Sequence, residues 1–167
     1  VTQSPDGAVV YTVNGGANSV SVIDAATNVV VATIAVGSNP FSIARNSMGT
    51  RLYVTNRSSN TVSVIDPATM KVVDTIPVGI NPQHVVPSWD MRTLWVANNA
   101  EGRKDGSLTP VDPATGKPGK PIPVDDPYNM YFTPDGKSAI IVAEAYKRLD
   151  FRDPHTMTLQ SSLEVPQ

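Results

Sequence analysis

Apolar residues along this chain fall in short, β-branched segments rather than in long periodic ones. Val20–Asp24 and Val62–Asp66 both read VSVID, and Val72–Val78 reads VVDTIPV. Clusters of Asn, Gly, Pro and Asp bound these segments, as turn residues bound β-strands. No stretch of helical length repeats its apolar positions at the period of an amphipathic helix. The pattern therefore predicts an all-β fold.

These segments recur at a fixed interval. Val9–Pro40 and Arg51–Pro82 are identical at 18 of 32 positions, with an offset of 42 residues. Tyr11, Tyr53 and Trp95 keep the same offset. Self-similarity at this period is the signature of a repeat architecture.

Each repeat carries signals for four strands: one opened by NP or DP, one ending in YVTN or its equivalent, one ending in VID and one ending in VG. The units lie at approximately 1–36, 37–78, 79–124 and 125–167 of a single domain, and we count fifteen strands because the first unit begins after its inner strand. A four-stranded unit of this length is typical of a propeller blade. The sequence predicts a β-propeller with about four blades of four antiparallel strands.

The motifs themselves resemble a known family. Tyr53–Asn56 spells YVTN, and with NTVSVID, the PDG turns and the VGxNP junctions it resembles the YVTN-repeat β-propeller family over essentially the whole chain. The resemblance implies a repeat motif that is mainly structural. It also implies secreted, periplasmic or cell-surface proteins, commonly seven- or eight-bladed, related to the cytochrome d1 haem domain and to lactonase-type propellers.

Three arrangements of the ring stay open at this point. The four units are part of a longer propeller, or a second chain completes the ring, or they close as a small four-bladed ring. In the first two cases the outermost blades expose apolar faces.

Composition narrows the possible functions. With 40% hydrophobic and 17% charged residues, a net charge of −2 and no basic block, nucleic-acid binding is disfavoured. The absence of cysteine excludes disulfides and thiolate chemistry. No apolar run is long enough for a membrane span. No nucleophile elbow, phosphate-binding loop or HExxH motif occurs either.

One loop departs from the repeat and is the first candidate site. Asn98–Ser107, NNAEGRKDGS, is an insertion, and inserted loops often hold a repeat protein's specific function. We expect it to lie beside the VDDP junction, where carboxylates could attract a divalent cation. A solvated hairpin and an aspartate in a turn are the plainer interpretations. The candidate ligand-binding residues are Asn98, Asn99, Glu101, Arg103, Lys104, Asp105, Asp125, Asp126, Tyr128 and Asn129.

His84 is the second candidate, as a ligand for a metal or haem iron at the channel mouth. The only other histidine, His155, belongs to the opposite face in this strand order, so a histidine-rich site cannot be completed within these residues. A hydrogen-bonded channel residue is the plainer interpretation.

The sequence favours a non-catalytic, extracytoplasmic propeller that presents its loop face to a protein or small ligand and requires no cofactor. The alternative is a metal- or haem-dependent oxidoreductase, or a lactonase-like enzyme, with its site at the channel mouth.

Overall fold

The computed structural model describes residues 1–102 and 104–165, which contain sixteen strands and two short 3₁₀ turns, Gly15–Ala17 and Ala100–Gly102. The count of fifteen strands was wrong, because Thr2–Gln3 pairs with Val10 and Tyr11 as a short first strand. In chain order the strands are β1 Thr2–Gln3, β2 Val9–Asn14, β3 Ser19–Asp24, β4 Val29–Ala35, β5 Pro40–Arg45, β6 Leu52–Asn56, β7 Thr61–Asp66, β8 Lys71–Pro77, β9 Pro82–Pro87, β10 Leu94–Asn98, β11 Ser107–Val111, β12 Ile122–Pro123, β13 Pro127–Phe132, β14 Ala139–Ala143, β15 Arg148–Arg152 and β16 Leu159–Glu164.

The strands form four antiparallel sheets of four, each an up-and-down meander of consecutive strands. The first strands of successive sheets, β1, β5, β9 and β13, contact one another and line the inside, whereas each fourth strand lies at the outer edge. These are the blades of a β-propeller, as the sequence predicted. No helix in the described part of the chain is long and apolar enough to cross a membrane.

Packing between sheets explains why the strands are apolar on consecutive residues. All five residues of β6 are buried. Leu52 and Val54 join the apolar cluster against the first sheet, while Tyr53 joins the cluster against the third. Both faces of a middle blade are therefore interior, and the alternation expected of a half-exposed strand is absent.

The YVTN motif connects blades. The Tyr53 hydroxyl donates to the Pro113 carbonyl (3.1 Å) in the turn after β11, and the Thr55 hydroxyl donates to the Gln83 carbonyl (2.7 Å) in β9. Burial raises the pKa of Tyr53 to about 12, so the phenol stays a donor at neutral pH. The motif is a structural connector, as the family resemblance implied.

The aspartates of the repeat close turns at one end of the sheets, which we call the turn face. Asp24, Asp66, Asp112 and Asp153 each accept backbone N–H groups two and three residues ahead, in the turn between the third and fourth strands. These hydrogen bonds lower the pKa of the Asp112 and Asp153 carboxyls. The aspartate that recurs at the end of each third strand is therefore accounted for by turn chemistry.

Candidate ligand-binding site

The opposite end of the sheets is the loop face. It consists of the hairpins between second and third strands and the junctions between successive sheets. Left-handed residues shape it: Asn39, Asn81 and Asp126 have φ of 55°, 52° and 46° just before the proline that opens the next inner strand. Asn18 and Asn60 support the first two junctions by accepting the backbone N–H of Asn39 and Asn81 on their side-chain oxygens.

The asparagine that ends the second strand of each of the first three sheets lies beneath this face. The Asn98 side chain is fully buried, and its Nδ2 donates to the hydroxyls of Ser107 (3.2 Å) and Thr109 (2.9 Å). Asn56 makes the equivalent bonds to Thr61 and Ser63. Asn98, a candidate ligand-binding residue by sequence, therefore holds the hairpin together below the loop surface.

Asn99 and Asp126 are brought together as expected, but they bind each other. Asn99 is 5% exposed and Asp126 only 1%. Asn99 Nδ2 donates to Asp126 Oδ1 (2.7 Å), and the Ala145 backbone N–H donates to Asp126 Oδ2 (2.6 Å). This buried bridge fixes the inserted loop and the β14–β15 loop to the junction before β13.

Glu101 projects from the inserted loop in the other direction, toward the second sheet. Its Oε1 accepts from Asn81 Nδ2 (3.2 Å) and lies 3.9 Å from an Arg57 terminal nitrogen. Arg57 Nε donates to Asn81 Oδ1 (3.0 Å), and its guanidinium lies over the Phe41 ring at 5.1 Å. We call Arg57, Asn81 and Glu101 the polar triad.

The polar triad borders a cavity of about 210 Å³ at the loop face. The rest of its wall is Asn39, Ser58, Asn60 and Ile80, so amide and hydroxyl groups dominate the surface. The cavity lies between the hairpins and junctions of the first three sheets, where no single blade could form it.

The remaining loop residues are more dispersed. Lys104 and Asp105 are exposed, and Arg103 lies outside the described residues. Asp125 lies 3.9 Å from the Arg148 guanidinium. The three carboxylates thus contact different partners: Asp125 lies by Arg148, Asp126 accepts from Asn99, and Glu101 accepts from Asn81. Across residues 1–102 and 104–165, no three His, Asp or Glu side chains come together as a metal-ligand group. The carboxylates that could have attracted a divalent cation at this loop do not cluster among the described residues.

His84 lies on β9 between two aromatic rings, Phe41 and Tyr128, each 5.2 Å away between centroids in an edge-on arrangement. Its Nδ1 is 2.9 Å from the Tyr128 carbonyl oxygen. Because a carbonyl only accepts, Nδ1 carries the proton in this pair and Nε2 holds the lone pair of the neutral ring. Burial lowers the pKa of His84, which favours that neutral form.

Asn129 is hydrogen-bonded within its own strand rather than to His84. Its Nδ2 donates to the Tyr131 hydroxyl (3.0 Å), two residues further along β13. Tyr128 is thus placed at the inner wall with His84, whereas Asn129 belongs to a different surface.

Sequence reasoning missed Arg57 and Asn81. Arg57 stands where the first repeat has Gly15, and this departure from the repeat was the available signal. Asn81 belongs to the repeated NP junction, and nothing in the pattern separates its side chain from that of Asn39. The contact with Glu101 arises only when three sheets are assembled.

The sequence profile of the YNCE-like beta-propeller family matches residues 4–94. No curated protein sequence matches the chain. Among solved structures, hydrazine synthase of Kuenenia stuttgartiensis is 28% identical with a TM-score of 0.84, covering 96% of this chain and 47% of that one.

Two further structures are similar at lower identity. The Pseudomonas aeruginosa periplasmic gluconolactonase PpgL is 23% identical with a TM-score of 0.78, covering 99% of this chain and 53% of that one. The dihydro-heme d1 dehydrogenase NirN is 18% identical with a TM-score of 0.75, covering 99% and 37%. Both likenesses establish the fold alone. This chain spans 47% of the hydrazine synthase chain and 37% of the NirN chain.

Proposed function

This chain belongs to the YNCE-like beta-propeller family, and from that premise we propose that it is a non-catalytic module that binds a small polar ligand, or a polar group of a protein, at its loop face. The polar triad and its cavity of about 210 Å³ carry this proposal. The cavity joins a guanidinium, a carboxylate and several amides on the end of the fold where propellers commonly place their sites. Function still has to be argued from the site rather than from the fold.

The repeat's own polar residues support binding rather than catalysis. Thr55, Asn56 and Asn98 bond to the backbone and hydroxyls of their own or neighbouring strands, and the turn-face aspartates cap turns. The side chains of these residues are therefore already engaged in hydrogen bonds that hold the fold together. Of the groups that line the cavity, Arg57 and Glu101 are the charged ones, and both depart from the repeat.

We place the protein outside the cytoplasm and its blades within a larger ring. The name of one structural neighbour, a periplasmic gluconolactonase, supports the location. The partial coverage of that neighbour, 53% of its chain, supports additional blades, from the same polypeptide or a second one.

The binding proposal predicts where ligands perturb the protein. We expect small polar compounds, tested as mixtures of amino acids, sugars and hydroxy acids, to shift backbone amide NMR signals around Asn39, Ser58 and Ile80. Arg57→Gln should abolish these shifts. Arg51→Gln is the matched control, since Arg51 also lies by a carboxylate, Asp66 at 3.3 Å, but on the turn face. Shifts confined to the turn face, or unaffected by Arg57→Gln, would reject the proposed site.

One observation favours a second candidate, a metal- or haem-dependent oxidoreductase or lactonase-like enzyme. His84 uses Nδ1 within the protein, and Nε2 makes no hydrogen bond to the described residues. An imidazole oriented in this way suits ligation through Nε2. Among the described residues His84 would supply one nitrogen ligand to a haem iron or other metal, and all other ligands would come from elsewhere.

A further inference from the structure

Arg57 is held in place while the described residues leave most of its hydrogen-bonding capacity unused. Its Nε donates to Asn81 and its guanidinium lies over the Phe41 ring, so its orientation is fixed from two sides. Its two terminal nitrogens form no hydrogen bond with the part of the chain that the structure describes. An arginine fixed in this way has donors ready for a planar anion at little further loss of conformational freedom.

Asn81 sets a second donor beside the first. Its side chain belongs to a residue only 7% exposed, and its Oδ1 accepts from Arg57, which turns its Nδ2 toward the cavity. Nδ2 and the nearest Arg57 terminal nitrogen both approach Glu101 Oε1, at 3.2 and 3.9 Å. Two donors from different residues thus face one carboxylate oxygen, and bonds from such donors to a carboxylate are among the stronger hydrogen bonds in proteins.

Glu101 occupies that position only loosely. Its side chain is 74% exposed, and the distance to the arginine exceeds that of a hydrogen bond. It is also presented by two successive non-glycine residues in the left-handed region, Ala100 at φ 56° and Glu101 at φ 55°. Such backbone is unfavourable for residues with a Cβ. A weak contact on a strained loop is one that a competing carboxylate can displace.

The rest of the cavity suits hydroxyl groups. Asn39, Ser58 and Asn60 offer amide and hydroxyl groups that both donate and accept. A volume of about 210 Å³ admits a compound of a few carbon atoms rather than a drug-sized one. The nearby Glu101 carboxylate favours a single negative charge over a dianion such as phosphate, because like charges repel.

We propose that Arg57 and Asn81 recognise the carboxylate of a small hydroxy acid, and that Glu101 is an internal competitor for the same position. This proposal rests on the loop-face binding function and names the ligand class and its regulation. The incoming carboxylate replaces Glu101 at the two donors, and the ligand hydroxyls face Asn39, Ser58 and Asn60.

The test follows the Arg57 Nε–H signal by NMR during titration with threonate, a four-carbon hydroxy acid. Threitol is the matched probe, with the same carbon skeleton and hydroxyls but no carboxylate. We expect threonate to shift the signal in a saturable manner and threitol to have no effect. Glu101→Gln should tighten threonate binding roughly two- to fivefold, the range expected from removing a partly exposed charge contact. Asp66→Asn, which neutralises a carboxylate beside an arginine on the turn face, should leave the affinity unchanged.

The outcomes separate this proposal from the binding function on which it rests. Equal response to threonate and threitol would overturn carboxylate recognition and leave loop-face binding standing. Weaker threonate binding by Glu101→Gln would overturn the competitor role, because Glu101 would then assist the ligand. No response to either probe would overturn the ligand class, while the fragment mixtures still test binding at the loop face. No response to threonate and threitol, together with no response to the fragment mixtures, would overturn the binding function as well.

Discussion

At the scale of single residues, His84 illustrates how one hydrogen bond sets the chemistry of a side chain. The Tyr128 carbonyl fixes the tautomer, and the two rings beside the imidazole reduce its contact with water. Burial, the larger effect, lowers the pKa of His84, while the bond to Tyr128 acts in the opposite direction. The result is a neutral imidazole with Nε2 available over a wider pH range than in water.

This arrangement yields a prediction for added hemin. If the second candidate function holds, hemin binds the chain with a Soret shift typical of imidazole ligation, and His84→Ala abolishes the shift. The shift should be stable at neutral pH and should disappear only at a more acidic pH than for a histidine in water, because the proton competes for Nε2 through the lowered pKa. His155→Ala is the control, since His155 lies on the turn face. A shift that survives His84→Ala would exclude His84 as the ligand.

The residue scale is also where sequence prediction reached its limit. The inserted loop and the VDDP junction were correctly identified as departures from the repeat, and Asn99 does meet Asp126 there. Which carboxylates would be free could not be predicted, because that depends on side-chain partners from other sheets. Arg57 was overlooked because its neighbours in sequence are ordinary hairpin residues, and Asn81 and Phe41 approach it only through assembly of the ring.

At the scale of elements, successive blades are joined by a glycine that packs on an asparagine. A Cβ at Gly37 would lie 2.5 Å from Asn56 Cγ in the next sheet, and one at Gly79 would lie 2.7 Å from Asn98 Cγ. The third junction holds Asp125 in place of the glycine, and the fourth sheet holds Ala143 in place of the asparagine. At this junction the sequence thus has the larger residue where the others have glycine and the smaller one where they have asparagine, as expected if the summed side-chain volume matters.

This exchange predicts a compensating pair of substitutions. Gly37→Ala should destabilise the protein by about 1–3 kcal/mol, because the added methyl overlaps the buried Asn56 side chain. Asn56→Ala should be destabilising alone, through loss of its bonds to Thr61 and Ser63, yet should remove most of the penalty of Gly37→Ala. Urea denaturation of the two single variants and the double variant measures the coupling.

Gly16→Ala is the matched control for this cycle, since a Cβ there meets nothing within 4 Å. Its free energy of unfolding should stay within about 0.5 kcal/mol of the parent. Strict additivity of Gly37→Ala and Asn56→Ala would contradict the packing argument. The repeat made the four-stranded units evident from sequence, whereas this contact could be found only once the register of neighbouring sheets was known.

At the scale of the whole molecule, the first and fourth sheets each have a face without a neighbouring blade among the described residues. Equivalent positions make the difference plain: Ile76 in the second sheet is 3% exposed, whereas Leu163 in the fourth is 54% exposed. Ala44 is 7% exposed, and its counterpart Tyr131 is 56% exposed. The sequence predicted such open apolar faces for two of the three ring arrangements. It could not choose between these arrangements, because the repeat specifies how one blade packs on the next and not how many there are.

The open faces predict the behaviour of this 167-residue chain in solution. Surface that interior blades bury drives association when it is left in water, so we expect concentration-dependent self-association in sedimentation velocity at micromolar protein. Tyr131→Lys combined with Leu163→Lys should shift the chain toward monomer, because two charges would have to be desolvated in the interface. Met48→Lys removes an equally exposed apolar side chain, at 68%, from a turn outside these faces, and should leave association unchanged. A chain that stays monomeric at all concentrations would mean that its sheet faces need no partner, and the case for a larger ring would then rest on the relatives alone.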